Sequence, residues 1–323
     1  MKNILTYIEI KDGAPIKLSL EALSKASEIA SEKGNKSLAL ITEELKDDEL
    51  NKLRGAGASD IVVVKRDDYN MEDFSNIIVE VAGKYDCEDI FIPGTLDGKD
   101  LAPNVAASLD TVSLTNVMDI KFEGEDIIFV TPSYGATVLT ESKINKAPRI
   151  ITVRAGSFDK REDLKGPGNL VEENIDEVKD LKTIIRDVVT SAAAEINLED
   201  APVIVTCGRG ASSDEIFPLV KELADVFDAP ISGTRPVIDD GVLPKASQIG
   251  QSGKIVAPAL YIGCGVSGAV QHVSGIENSN FIVAINKDED APIFDIADIG
   301  IVGDCKQVLP LFIEEIKKIK ANA

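Results

Sequence analysis

The feature that most constrains this chain is a short apolar run at 259–262. It leads directly into Gly263-x-Gly265-x-x-Gly268 and, four positions on, His272, the sole histidine. Glycines at this spacing let a strand turn tightly into a helix whose first N–H groups face a pyrophosphate. The same glycines also suit a plain tight turn or close strand–helix packing, so the spacing alone leaves both uses open. Either use demands a buried strand, a sharp turn and a helix in succession, the building block of a parallel α/β sheet.

The rest of the chain repeats that block. Strand signals at 4–10, 37–41, 60–64 and 89–93 alternate with helix signals at 18–30, 48–53 and 71–84. This predicts a parallel sheet with helices on both faces. Beyond a segment at 101–109 the rhythm changes to successive strands at 116–122, 126–130, 137–140 and 149–153, which either extend the same sheet or form an antiparallel annex. Residues 156–177 are charged and punctuated by Gly166-Pro167-Gly168, as a linker or exposed excursion would be. The stretch 178–191 reads as a strand with a helical tail or as one helix. A length of 323 residues corresponds to about two domains. We expect a nucleotide-binding-like scaffold and docking domain over 1–195 and a doubly wound α/β domain over 196–323.

In the second of these, a strand at 202–206 runs into Gly208-Arg209-Gly210. The pattern Ser212-Ser213-Asp214-Glu215 then suggests a capping box opening a helix to about Phe227, and Pro218 keeps that helix from starting much before Ser213. Strands at 281–285 and 299–302 end in Asn286 and in Gly303-Asp304, before a closing helix at 306–320. Polar and glycine residues thus gather at the carboxyl ends of several strands, where open α/β sheets hold ligands. The acidic residue that a nicotinamide site places about 20 positions past the glycines is replaced at the strand end by Asn286, with Asp288 beyond it.

Composition removes other classes. The balance of 34 Lys and Arg against 55 Asp and Glu, a net charge of −21, opposes binding to nucleic acid, and the lack of Trp opposes base-stacking platforms. The cysteines, Cys87, Cys207, Cys264 and Cys305, lie too far apart for a metal site and are expected as free, buried thiols. With no apolar run near the roughly 20 residues of a membrane span and no signal-like start, a soluble cytoplasmic protein is expected, or a mitochondrial-matrix one in a eukaryote. The absence of an acid/base pair or nucleophile argues against an NAD-dependent enzyme.

Two polar, glycine-bearing segments precede the glycine loop, and long irregular segments of this kind usually carry function. Taken singly, Arg235 is equally a surface guanidinium, Ser252 a turn residue and His272 a core or capping histidine. Together the segments form four ordered motifs: Thr234-Arg235-Pro236-x-x-Asp239; Gln248-x-Gly250-Gln251-Ser252-Gly253-Lys254-x-Val256-Ala257-Pro258; Gly265-x-Ser267-Gly268-Ala269-x-Gln271-His272; and Ala284-Ile285-Asn286-Lys287-Asp288-x-x-Ala291-Pro292-Ile293-Phe294. From about Pro202 onward the chain resembles the Rossmann-like FAD-binding domain of the electron-transfer flavoprotein alpha subunit. Residues 1–155 are similar to that family's first domain in pattern only.

The resemblance implies a heterodimer with a beta subunit and one FAD held mainly by the second domain. It implies an electron carrier rather than a substrate-converting enzyme, working between flavin-dependent dehydrogenases, those of fatty acid beta-oxidation among them, and a quinone oxidoreductase or other acceptor. By the same resemblance Arg235 lies over the isoalloxazine and favours an anionic semiquinone, Ser252 bonds flavin N5, and His272 meets the pyrimidine side near O2. Gln251, Ser267, Gly268 and Gln271 follow the ribityl and diphosphate path, while Arg209, Asn286 and Asp304 belong to the adenosine end. Thr234, Gln248, Ile249, Gly250, Gly265, Ala269, Val270 and Cys305 complete the implied binding set. Thr234 and Ser252 stand where Ser and Thr are often found, no Trp follows Asp239-Asp240-Gly241, and Cys305 replaces a usual apolar residue. An electron-bifurcating version with a second FAD on the partner, and an adenine-nucleotide adaptor without redox work, remain as alternatives.

Overall fold

Apolar strand residues and amphipathic helices alternate through residues 2–124, 126–183 and 198–322, which the computed structural model describes. They divide into two units, Met1–Val189 and Thr190–Ala323. The boundary expected between 195 and 196, and the end of the ambiguous stretch 178–191, lie outside the described residues.

The first unit runs β1 (Asn3–Tyr7), a hairpin of β2 (Ile10–Lys11) and β3 (Ala14–Pro15), α1 (Lys17–Glu32), β4 (Ser37–Ile41), α2 (Asp47–Gly55), β5 (Asp60–Val63), α3 (Met71–Lys84), β6 (Cys87–Pro93) and α4 (Leu96–Ser108). It continues with β7 (Ser113–Val117), β8 (Asp119–Glu123), β9 (Asp126–Ser133), β10 (Val138–Ser142), β11 (Arg149–Val153) and β12 (Asn169–Glu172). Seven strands form one parallel sheet in the order β12-β5-β4-β1-β6-β11-β7. Successive side chains on a strand face opposite ways. Leu5, Tyr7, Leu40 and Ile92 therefore bury against α3 and α4, while Ile4, Ala39, Ile61 and Phe91 bury against α1 and α2. Both continuations expected after residue 110 occur: β7 and β11 extend the sheet, and β8, β9 and β10 form an antiparallel annex.

The expected linker at 156–177 is instead fastened to this unit. Leu164 and Gly166 donate to the carbonyls of Gly55 and Arg54 at 3.1 and 2.8 Å, and β12 pairs in parallel with β5. Its glycines serve close approach rather than flexibility, since a Cβ on Gly166 would lie 2.1 Å from the Ala58 oxygen.

The second unit runs β13 (Val203–Cys207), a 3-10 turn (Arg209–Ala211), α5 (Phe217–Phe227), β14 (Ile231–Gly233), α6 (Arg235–Asp239), β15 (Leu260–Cys264), α7 (Val270–Val273), β16 (Ile282–Asn286), β17 (Ile299–Val302) and α8 (Cys305–Asn322). Its five strands are parallel, ordered β14-β13-β15-β16-β17. Val205, Ile262 and Ile285 face α5 and α8, which bury Val220, Leu223, Leu309 and Ile313 against them. The opposite face, with Ile204, Tyr261 and Ala284, is covered mainly by connecting segments through Ile249, Val256, Val266, Ile276 and Ile293. Two expected helix starts shift. The Ser212–Glu215 pattern forms no capping box, because α5 begins at Phe217 with Pro218 in its first turn and no side-chain cap. The helix after the glycines is a single turn, α7, so the described backbone there is loop rather than the start of a long helix.

Candidate functional site

In the second sheet the strand order reverses between β13 and β15, and the crevice of an open α/β sheet opens at the carboxyl ends of such a pair. Glycine is required at both ends. A Cβ on Gly208 would lie 2.2 Å from the Gly265 oxygen, so the two turns touch through their backbones. Gly265 and Gly268 have φ of +64° and +85°, and a Cβ on Gly268 would meet the Ile293 nitrogen at 2.2 Å. Both positions exclude other residues on conformation and on space. Gly263, by contrast, has no positive φ, and its neighbours begin 3.1 Å away at the Tyr261 ring. Among the described main-chain hydrogen bonds, the N–H groups of Ser267, Gly268 and Ala269 have no carbonyl partner.

A cavity of about 800 Å³ lies here. Of the residues singled out from the sequence, Arg209, Thr234, Arg235, Gln248, Ile249, Gly250, Gln251, Ser252, Gly265, Ser267, Gly268, Ala269, Gln271, His272 and Asn286 line it. Three do not. Val270 is half-exposed on α7 and outside the lining. Asp304 accepts from the Lys306 amide at 2.8 Å at the start of α8. Cys305, the first residue of α8, is buried in the core against β16, its thiol directed at the Ile285 carbonyl and pushed up to about 11 by burial. Gly210, Pro236, Val266, Lys287 and Asp288 line the cavity in addition. Lys287 and Asp288 could have been read from their place in the strand-end run that begins at Asn286.

Local chemistry separates these side chains. Arg235, at the start of α6, is 69% exposed and lies 3.5 Å from Asp239 one turn on, so its guanidinium is weakly held. Gln248 is buried. Its Oε1 accepts from Lys245 Nζ at 2.6 Å and its Nε2 donates to Ser252 Oγ at 2.9 Å. Asn286 braces the glycine loop, donating to the Val266 carbonyl at 2.7 Å and accepting from the Asp288 amide at 3.1 Å.

His272 lines the cavity, and its ring is engaged by the protein itself. Its Nδ1 lies 3.1 Å from the Ile249 carbonyl and its Nε2 lies 2.7 Å from the Tyr261 hydroxyl. A carbonyl only accepts, so Nδ1 carries the proton and Nε2 accepts from Tyr261. Burial lowers its pKa to about 4, keeping the ring neutral. With both nitrogens engaged, the imidazole has no donor left for a ligand. It joins the Ile249 segment to β15 as a core histidine does.

A parallel sheet with a glycine-built switch point, unsatisfied loop N–H groups and converging cations defines the second unit as a cofactor-binding α/β domain of the nucleotide type. Family models match the electron transfer flavoprotein domain over residues 4–179 and the electron transfer flavoprotein FAD-binding domain over residues 197–277. The chain is 37% identical to the electron transfer flavoprotein subunit alpha of Thermoanaerobacterium thermosaccharolyticum, with 99% of each covered. It is 35% identical to the subunit of the same name from Bacillus subtilis, covering 100% of this chain and 99% of that one. It is 30% identical to the acryloyl-CoA reductase electron transfer subunit beta of Anaerotignum propionicum, covering 99% and 96%. The chain belongs to the electron transfer flavoprotein alpha subunit family. The FAD-domain match spans β13 to α7 and takes in the lining residues from Arg209 to His272.

Proposed function

We propose that this chain is the FAD-holding subunit of a heterodimeric electron carrier. It pairs with a beta subunit and passes electrons singly from flavin-dependent dehydrogenases to a quinone oxidoreductase or another acceptor. The observation that carries this reading is the convergence of separate segments, around Arg209, Arg235, Ser252 and Gly268, on one cavity. Its volume falls in the roughly 300–1,000 Å³ range of cofactor sites. Arg209, Arg235 and Lys287 supply positive charge, and the crowded glycines supply the backbone approach that a diphosphate needs. FAD therefore fits the donor set. When bound it supplies a ring system that takes up and releases electrons one at a time.

The residues have distinct tasks in this reading. Ser267, Gly268 and Ala269 offer N–H groups to the diphosphate. Ser252 has already accepted from Gln248, so its own O–H is the donor left for the ring. Arg235 cannot deprotonate, and it places a fixed cation beside the negative charge that reduction adds. Water exclusion by the bound partner would strengthen that attraction. Among the described residues no helix is long and apolar enough to cross a membrane.

Co-expression with a beta subunit of the family tests the proposal. A yellow heterodimer with one FAD is expected, whereas a colourless protein holding only adenine nucleotide would overturn it. The relative named as an acryloyl-CoA reductase electron transfer subunit favours a second reading, a bifurcating complex with a further FAD on the partner. Two FAD per heterodimer would select it.

A further inference from the structure

We infer that Lys245 is a positioning residue: through the buried amide of Gln248 it fixes which way the Ser252 hydroxyl points its proton. The inference rests on the reading above, in which Ser252 donates to the flavin ring.

The argument is one of donor and acceptor polarity. A lysine ammonium only donates. With Lys245 Nζ 2.6 Å from one end of the Gln248 side chain, that end is the carbonyl oxygen, and the NH2 end faces Ser252. The Ser252 oxygen therefore accepts, and its O–H is free to donate into the cavity. Without the lysine the amide can turn over. Its oxygen would then take the Ser252 proton, and the cavity would face an acceptor lone pair instead of a donor. A buried amide whose two ends differ only by a flip is set by whatever touches its outer end.

The backbone holds this relay in register. A 3-10 turn at Lys245–Ser247, with the Gln248 amide donating to the Lys245 carbonyl at 3.1 Å, brings the two side chains together. The Lys254 amide donates to the Gln248 carbonyl at 2.8 Å, and a Cβ on Gly253 would lie 2.3 Å from that oxygen, so the Ser252 turn is pressed onto Gln248. Gln248 is 1% exposed, whereas Lys245 is on the surface, and its replacement leaves the core intact.

The test is a double-mutant cycle on the FAD-loaded heterodimer, read by the flavin midpoint potential and the FAD dissociation constant. The proteins are wild type, Ser252→Ala, Lys245→Met, the double variant and Lys245→Arg. In the Ser252→Ala background the amide has no hydroxyl to orient, so any effect of Lys245→Met there comes from its charge and its 3.5 Å contact with the residue 252 carbonyl. The expected result is a larger shift from Lys245→Met in wild type than in Ser252→Ala, with the same sign as the Ser252→Ala shift, and near-wild-type behaviour for Lys245→Arg. Equal shifts in the two backgrounds would overturn the relay, as would a silent Lys245→Met beside a shifted Ser252→Ala, and in both cases the cofactor reading would stand. A Ser252→Ala protein with unchanged potential and affinity would remove the Ser252 donor role and the relay with it, while the bound FAD would leave the cofactor reading standing.

Discussion

The two units solve the same architectural problem with opposite results at their crevices. Each is a parallel sheet with a switch point, between β1 and β6 in the first, where β11 later inserts between β6 and β7, and between β13 and β15 in the second. In the first, several polar groups of the turn after β6 are bonded internally. Gly94 donates to the Val153 carbonyl at 2.9 Å, and Thr95 Oγ1 accepts from the Gly98 amide at 3.0 Å while donating to Glu9 at 2.5 Å. Its glycines serve packing, since a Cβ on Gly98 would sit 1.8 Å from the Pro93 oxygen. In the second, the glycines bend the loop so that several N–H groups keep no main-chain partner. Helices cover both faces of the first sheet, whereas loops cover one face of the second, and those loops line the cavity. Among the described main-chain hydrogen bonds the N–H groups of Thr95, Leu96 and Asp97 are as unpartnered as those of Ser267, Gly268 and Ala269. The two switch points therefore differ in the positive-φ, crowded glycines and the lining loops of the second rather than in left-over donors.

The largest expected effect comes from filling that loop. Gly268→Ala combines positive φ with a backbone clash at 2.2 Å, and strain of this kind costs about 1–3 kcal/mol before any displacement of the loop. Loss of bound FAD is expected, measured as flavin absorbance per heterodimer. Gly241→Ala is the control: it shares a positive φ of +74° but has open space around it, so it should retain flavin and lose only about 1 kcal/mol. Equal flavin loss in both would mean that strain alone, and not the cradle, governs binding.

Next is the pH response of the loop-covered face. Burial lowers His272 to about 4, against about 6.5 in an unfolded chain, so between these values the unfolded state binds the extra proton. Stability is therefore expected to fall as pH drops through that window, by about 2 kcal/mol between pH 6.5 and 5 and by about 3 kcal/mol in all. The first unit contains no histidine, so the loss above pH 5 should fall on the second. Urea midpoints at pH 7 and pH 5 check this, and His272→Phe should flatten the difference. A slope that survives the substitution would place the titrating group elsewhere.

Arg235→Ala comes third. Removing an exposed cation beside the cavity should lower the affinity of the ring for its first electron by roughly ten-fold, about 1.4 kcal/mol. Potentiometric titration reads this as a change in the separation of the two one-electron steps. An unchanged separation would remove Arg235 from the redox role and leave it as a partner of Asp239.

The contrast between the units also explains what could be read in advance. Parallel strands buried on both faces are near-continuous apolar runs, so 37–41 and 149–153 are delimited in the sequence as they are in the structure. The amphipathic helix 71–84 and the exposed edge strand 299–302 also keep their expected bounds. What could not be read was tertiary. The run 156–177 is polar enough for a linker, and only its pairing with β5 makes it an edge strand. β14 is three residues long, below any periodicity. The residues around Arg235, Ser252 and Gly268 stood out through the four ordered motifs and the resemblance they carry, since singly Arg235 and Ser252 have ordinary structural readings, and the structure brings them to one cavity. The task of His272 was not legible, since its partners, Tyr261 and Ile249, are apart in sequence and meet only in the fold.

The smallest effect tests whether charge or geometry keeps the first crevice closed. Glu9 and Asp97 stand near it. Asp97 is raised from the ordinary carboxylate range by burial and by the nearby Asp100, an environment that repels phosphate. Glu9→Gln with Asp97→Asn reduces that repulsion, leaving only Asp100 of the three, and keeps Thr95 capping α4 and the Gly94 and Gly98 amides occupied. If geometry governs, the variant should bind no ADP in equilibrium dialysis, keep one FAD per heterodimer and change in stability by less than about 1 kcal/mol. If ADP binds, glycine and loop geometry is not the deciding difference between the two switch points, and acidity has kept the first one empty of phosphate.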